Sequence, residues 1–123
     1  MILVDTSIWI DHLRAGNAVL TDLLLSGRVL THPFVIGELA LGNLSQSDRV
    51  LESLLNLPRA VVATPEETVD FISSAALSGL GIGYVDASLL ASTRLTPDAR
   101  LWTRDKRLHA AADRLGSSAT VSH

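Results

Sequence analysis

Short β-leaning apolar runs alternate with helix-spaced apolar residues along this chain, and that alternation constrains its fold more than any other feature. Ile2-Leu3-Val4 is closed at once by Asp5-Thr6-Ser7, which reads as a buried strand followed by a helix capped by the Thr or Ser. Trp9, Ile10 and Leu13 recur at helical spacing before Gly16, and Leu20, Leu23 and Leu24 line one face of a second helix that Gly27 ends. Val29-Leu30-Thr31 is the next strand; Pro33 opens a helix to about Leu41, and a further helix runs from Gln46 to Leu57 before Pro58. A third strand is expected at Val61-Val62-Ala63. Thr64-Pro65-Glu66-Glu67 combines a cap, a first-position proline and a capping box, so a helix runs from there to Ser78. Beyond a bend at Gly79, Gly81 and Gly83 come a helix from Tyr84 to Leu95, a strand at Leu101-Trp102-Thr103 and a helix from Lys106 to Leu115. A last short strand is expected at Ala119-Thr120-Val121. Strands separated by helices pair in parallel and are covered on both faces. The expected fold is α/β, a three-layer α/β/α sandwich around a short, mostly parallel central sheet.

A chain of 123 residues has room for a single domain, spanning 1–123. With 47% hydrophobic and 19% charged residues it is not a disordered chain. Its mean hydropathy of +0.32 is high for a soluble protein. Asp, Arg, Gly or Pro nevertheless interrupts every apolar run short of the ~20 residues that span a bilayer, so no membrane role is expected. The surplus apolar surface points instead to a partner or a second copy. The absence of cysteine excludes disulfides, thiolate zinc sites and cysteine nucleophiles. No basic segment precedes the first apolar run, so no secretory signal is expected and the cytoplasm is the expected compartment. A net charge of −3 does not advertise a nucleic-acid binder, yet basic residues cluster late, at Arg100, Arg104, Lys106, Arg107 and Arg114.

Most acids, Asp11 among them, fall on polar helix faces or in turns, where solvation is the default. Asp5, Glu38, Asp86 and Asp105 fall differently. Asp5 and Asp105 each follow a buried strand, and ligands of parallel sheets bind at the carboxyl ends of strands. Glu38 sits within Val35-Ile36-Gly37-Glu38-Leu39-Ala40-Leu41, and Asp86 within Tyr84-Val85-Asp86-Ala87-Ser88-Leu89-Leu90, both nearly apolar all round. A lone buried carboxylate is costly unless paired or bound to a metal. Each has a plainer reading: Asp5, Asp86 and Asp105 as helix caps, Glu38 as the partner of a buried arginine. One divalent-metal site satisfies all of them together, and a carboxylate set without cysteine or paired histidine selects a hard cation, Mg²⁺ or Mn²⁺. Four carboxylates suit one or two such ions, the arrangement used for phosphodiester displacement.

Other constellations fail. The Gly79–Gly83 segment lacks the Lys-Ser/Thr of a phosphate-binding loop, and Ser7 and Ser88 lack the nucleophile-elbow pattern. His12, His32, His109 and His123 are scattered, without metal-ligand spacing. Trp9 and Trp102 suit core or interface packing better than base stacking.

Met1-Ile2-Leu3-Val4-Asp5-Thr6-Ser7 with Trp9 and Ile10, Pro33…Gly37-Glu38-Leu39, Tyr84-Val85-Asp86-Ala87-Ser88-Leu89-Leu90-Ala91 and Leu101-Trp102-Thr103-Arg104-Asp105 together resemble the PIN-domain family. The likeness is strongest to the VapC-type ribonuclease toxins of bacterial type II toxin–antitoxin operons, and it covers essentially the whole chain. The resemblance implies a Mg²⁺- or Mn²⁺-dependent endoribonuclease whose acids map onto Asp5, Glu38, Asp86 and Asp105. Thr6, Ser7 and Thr103 would be supporting hydroxyls, orienting groups rather than nucleophiles. Arg100, Arg104, Lys106 and Arg107 become candidates for contacts to the RNA. It further implies a VapB-type antitoxin and a homodimer, with Trp9, Leu13, Leu20, Leu23 and Leu24 as candidates for an antitoxin groove. The competing readings are a PIN-fold nuclease of RNA processing outside toxin–antitoxin systems and a catalytically silent binding module. A phosphoryl-accepting domain built on Asp5 fits poorly, since Lys106 is the only lysine.

Overall fold

The computed structural model describes residues 1–121; His123 lies outside them. Three strands form a parallel sheet, β1 (Ile2–Val4), β2 (Val29–Leu30) and β3 (Arg100–Trp102), in the order β2-β1-β3. Leu3 pairs with Leu30 on one side and Leu101 on the other, while Val4 pairs with Trp102. All three residues of β1 are buried, as expected for a central parallel strand covered on both faces. Around the sheet lie α1 (Thr6–Ala15), α2 (Ala18–Leu25), α3 (Pro33–Leu41), α4 (Ser47–Leu55), α5 (Pro65–Ser74), α6 (Tyr84–Leu95) and α7 (Lys106–Arg114). The alternation read from the sequence therefore holds, and none of these helices is long and apolar enough to cross a membrane.

Four local expectations need correction, and each has a physical reason. The cap of α1 is Asp5, whose carbonyl accepts the Ile8 and Trp9 N–H groups; Thr6 and Ser7 lie inside the first turn with their hydroxyls aimed elsewhere. Val61–Ala63 is not a strand. Thr31 bridges Arg59, after which the Val61 and Ala63 N–H groups bond the Thr96 and Ser92 hydroxyls at 2.9 and 3.1 Å. Side chains of α6 thus satisfy donors that a neighbouring strand would otherwise take. The expected last strand reduces to one bridge, Leu101 to Ser118. Helix α5 stops at Ser74 rather than Ser78 because Ala76 turns left-handed, at φ 52°, which lets the Leu77 N–H reach back to the Ile72 carbonyl as Leu77 enters the core. The capping box of Thr64 and Glu67 forms as read.

The core gathers Leu3, Ile8, Leu39, Leu89, Leu90, Leu101, Trp102 and Leu108 from both layers and the sheet. Helix α6 is its axis: every residue from Ala87 to Thr93 is buried. A buried histidine ties α6 to α3. His32 Nδ1 accepts the Phe34 N–H at 3.1 Å, capping α3, so the ring proton sits on Nε2, 3.0 Å from the Ser92 hydroxyl. That Ser92 oxygen also holds Ala63, so one contact joins α3, α6 and the segment between α4 and α5.

Burial, helped by the charge of Arg59, lowers the His32 pKa from 6.5 to about 4. Between those values the unfolded chain binds a proton that the folded chain refuses, so stability rises with pH across the window. Full stability from this group is present above pH 6.5 and drains as pH falls toward 4, by up to about 1.4 kcal/mol per pH unit. Urea unfolding between pH 7.5 and 4.5 checks this, and the fall should flatten in His32→Gln.

Candidate active site

The carboxyl ends of β1 and β3 meet at one edge of the sheet, and the chain places an acid just after each. Asp5 follows β1 directly and is only 7% exposed. Its Oδ2 accepts two hydroxyl hydrogen bonds, from Ser7 at 2.9 Å and from the buried Thr103 at 2.7 Å. Each hydroxyl has one proton, and each spends it on Asp5. The lone pairs are used too: Ser7 Oγ accepts the Arg104 N–H, and Thr103 Oγ1 accepts the Asp105 N–H, both at 3.1 Å. The loop after β3 is therefore fastened to Asp5 through two side chains, and Oδ1 of Asp5 receives neither hydroxyl. Both hydroxyls hold the Asp5 carboxylate in place.

The other three acids come to the same edge from different elements. Thr6 Oγ1 donates to Glu38 Oε1 at 2.7 Å, which joins the start of α1 to α3. Asp105 caps α7, its Oδ1 accepting the Leu108 N–H at 2.9 Å. Asp86, in the first turn of α6, accepts the Gly83 N–H on Oδ2 at 3.3 Å. The cap readings of Asp86 and Asp105 are thus correct as far as they go, whereas Asp5 makes no side-chain cap bond. Burial raises the Asp86 pKa above the ordinary carboxylate value; the Gly83 N–H opposes this, and the charges of Asp5, Asp105 and Glu38 push it further up. Three acids drawn from three other parts of the chain are therefore felt at the Asp86 carboxyl group.

A hard cation suits this chemistry, because the donors are carboxylate and hydroxyl oxygens and the charges of Asp5, Asp105 and Glu38 bear together on Asp86. Among the described residues no three acidic or histidine side chains close into a ready-made cage. Mg²⁺ keeps several of its waters, so a site for it needs only one or two direct carboxylate contacts.

The basic candidates separate. Arg100 opens β3 opposite Ile2, at the far end of the sheet from the acids, and its guanidinium is bonded to the Gly116 carbonyl. That places it away from the acidic edge. Arg104 is paired with Asp11, an acid the sequence assigned to solvent; 93 residues separate the two, so only the fold could bring them together. Lys106 and Arg107 lie exposed on the first turn of α7, beside Asp105. The hydrophobic candidates separate as well. Trp9, Leu13 and Leu24 line a cavity of about 290 Å³ with Val50, Leu54 and Leu57 of the α4 region. Leu20 and Leu23 are core residues, 0% and 7% exposed, and do not line it. They were read as groove because helical spacing does not say which of two apolar flanks faces the sheet.

The PIN domain family model matches residues 2–114. Over 116 residues the chain is 52% identical to Ribonuclease VapC32 of Mycobacterium tuberculosis, from strain CDC 1551 / Oshkosh and from strain ATCC 25618 / H37Rv, with 94% of each chain covered. The crystal structure of FitAcB from Neisseria gonorrhoeae superposes with a TM-score of 0.62 at 23% identity, covering 92% of this chain and 94% of that one. That likeness is one of fold. The chain belongs to the PIN-domain family and, at the identity it shares with VapC32, to the VapC-type branch.

Hydrogen bonds to a charged group are worth ~1.5–3 kcal/mol when one partner is removed. Thr103→Val strips Asp5 of one donor and the Asp105 N–H of its acceptor, so the urea midpoint should fall by an equivalent amount with an unchanged slope.

Proposed function

We propose that this chain is a Mg²⁺- or Mn²⁺-dependent endoribonuclease acting as the toxin of a toxin–antitoxin pair, folded as one domain over residues 1–123. The observation that carries the reading is the load on Asp86: a half-buried carboxyl raised by its own burial and by Asp5, Asp105 and Glu38 together. The 52% identity to a protein named as a ribonuclease supports RNA as the substrate.

Asp5 and Asp86 would hold the ion, with Glu38 and Asp105 completing its shell or orienting its waters. When bound, the ion supplies charge neutralisation at the scissile phosphate and lowers the pKa of a coordinated water. The chain's own groups do the positioning. Ser7 and Thr103 fix the plane of the Asp5 carboxylate, and Thr6 holds one oxygen of Glu38 while the other is left to accept a hydrogen bond from the attacking water. Without the ion the acids repel an anionic substrate, so binding of RNA and of metal are coupled.

A VapB-type antitoxin is the partner this reading requires, and a second copy of the chain completes a homodimer. The cavity lined by Trp9, Leu13 and Leu24 suits an apolar segment of the antitoxin.

Gel assays on RNA check the chemistry: Asp5→Asn or Asp86→Asn should abolish cutting, as should excess chelator, and undiminished cutting by either variant would refute the mechanism. Without divalent ions Asp86→Asn should melt no lower than the parent, because it removes a repelled charge. Added Mg²⁺ should raise the melting temperature of the parent only. Leu13→Ala, on a 36% exposed side chain away from the acids, should weaken capture by the antitoxin about tenfold while RNA cutting persists. Leu20→Ala should cost ~2–5 kcal/mol of stability instead.

A further inference from the structure

One face of α7 and the glycine bend before α6 enclose a cleft of about 330 Å³, lined by Leu80, Lys106, Arg107, Ala110, Ala111 and Arg114. Three of these residues are cationic, three are apolar and none is acidic. In an acidic protein of net charge −3 such a concentration of one sign is not a diluted average of the surface. Arg114 is engaged with the Ala75 carbonyl at 2.6 Å. Among the described residues the one ion pair is Arg104 with Asp11, so Lys106 and Arg107 have no acidic partner.

Both walls of the cleft are joined in sequence to acids of the site. One wall follows Asp105 directly, through Lys106 and Arg107. The other, the bend at Leu80, leads through Gly83 into Asp86. Arg107 lies flat against this bend: a Cβ built on Gly81 would stand 2.7 Å from its Nη1, and Gly81 has the left-handed φ of +76°. Glycine there leaves the guanidinium room to rest along the wall. Lys106 also lines a second cleft, of about 260 Å³, with Thr103, Arg104 and His109, and Thr103 is the residue bonded to Asp5. Lys106 thus stands between a cationic cleft and the side chain that holds the central acid.

We infer that this cleft is a subsite for a nucleotide flanking the scissile bond, with Lys106 and Arg107 holding its phosphate and Leu80 and Ala110 receiving the apolar face of its base or ribose. The inference rests on the nuclease reading above and adds to it where the strand runs. Two cations without acidic partners above an apolar floor match a nucleotide's combination of anionic phosphate and stackable ring. Such contacts attract the backbone of any sequence, so the subsite supplies affinity and register rather than base choice.

The test is fluorescence anisotropy with a labelled single-stranded RNA of about a dozen nucleotides, across a salt series. The parent carries Asp5→Asn so that the RNA survives, and cutting kinetics are measured in parallel on the wild-type chain. Lys106→Gln with Arg107→Gln should weaken binding several-fold. The slope of log affinity against log salt should become shallower by about 0.7, the value for one phosphate contact on a single strand. In the cutting protein the same pair should raise KM and spare kcat, and Arg100→Gln should change nothing. Lys106→Gln alone, which leaves the packing on Gly81 intact, should give about half the change in slope. Parental affinity and slope in the double variant would overturn the subsite while leaving the nuclease reading standing. Loss of binding in the variants without any cutting by the wild-type chain would uphold the cleft and overturn the nuclease. Absence of RNA binding by the parent would overturn both.

Discussion

Asp5 ends the central strand almost wholly out of water, and a carboxylate so placed costs several kcal/mol unless its oxygens are hydrogen-bonded. The Ser7 and Thr103 hydroxyls meet that cost, and in doing so they bind the loop after β3 to the first turn of α1. Each hydroxyl then accepts a backbone N–H from that loop, at Arg104 and at Asp105. Remove the carboxylate's partners and the two loops lose the contacts that hold them at one sheet edge. The site is consequently not an ornament on a finished scaffold, because its charged centre is also a fastening of the fold.

The same group sets a limit on how far the fold can satisfy it. Hydroxyls neutralise no charge, and the acids brought in by α3, α6 and α7 add to the field at Asp86 rather than relieving it. Stability is thereby given up at the place where a cation would return it, a pattern common to sites whose ligand is a charge the chain does not itself carry. The extreme shortness of the strands serves this arrangement. With three residues in β1 and in β3, the ends of the sheet lie close to the core, and α6, buried from Ala87 to Thr93, carries Asp86 to the same edge.

Much of this was legible in the sequence, and the reasons it was legible are physical. Apolar triplets stopped by an acid mark buried strands whose ends bind ligands, and a carboxylate inside an apolar helix has no cheap solvated position, so Asp5, Glu38 and Asp86 stood out singly. What the sequence could not display was pairing over long separations. The Thr103 hydroxyl on Asp5 and the Arg104 guanidinium on Asp11 join residues more than ninety positions apart, and no local pattern encodes either. Periodicity likewise could not decide between two apolar flanks of α2, which is why Leu20 and Leu23 belong to the core while Leu24 lines the cavity. Val61–Ala63 had the composition of a strand but met hydroxyls of α6 before it met a neighbouring strand.

The distribution of positive charge follows from the same geometry. A basic run next to Asp105 looks uniform in sequence, yet the fold sorts it. Arg100 is carried to the opposite end of β3, and Arg104 is neutralised by Asp11, which leaves its backbone N–H free to serve Ser7. Lys106 and Arg107 form no ion pair among the described residues, and the Asp105 carboxylate is occupied with the helix's own N–H at Leu108. Acids at the sheet edge and cations along α7 are therefore sorted into different parts of one surface. On the proposed reading an anionic strand would be drawn along the cleft and held off at the acids, and a cation between the carboxylates would remove the second effect without weakening the first.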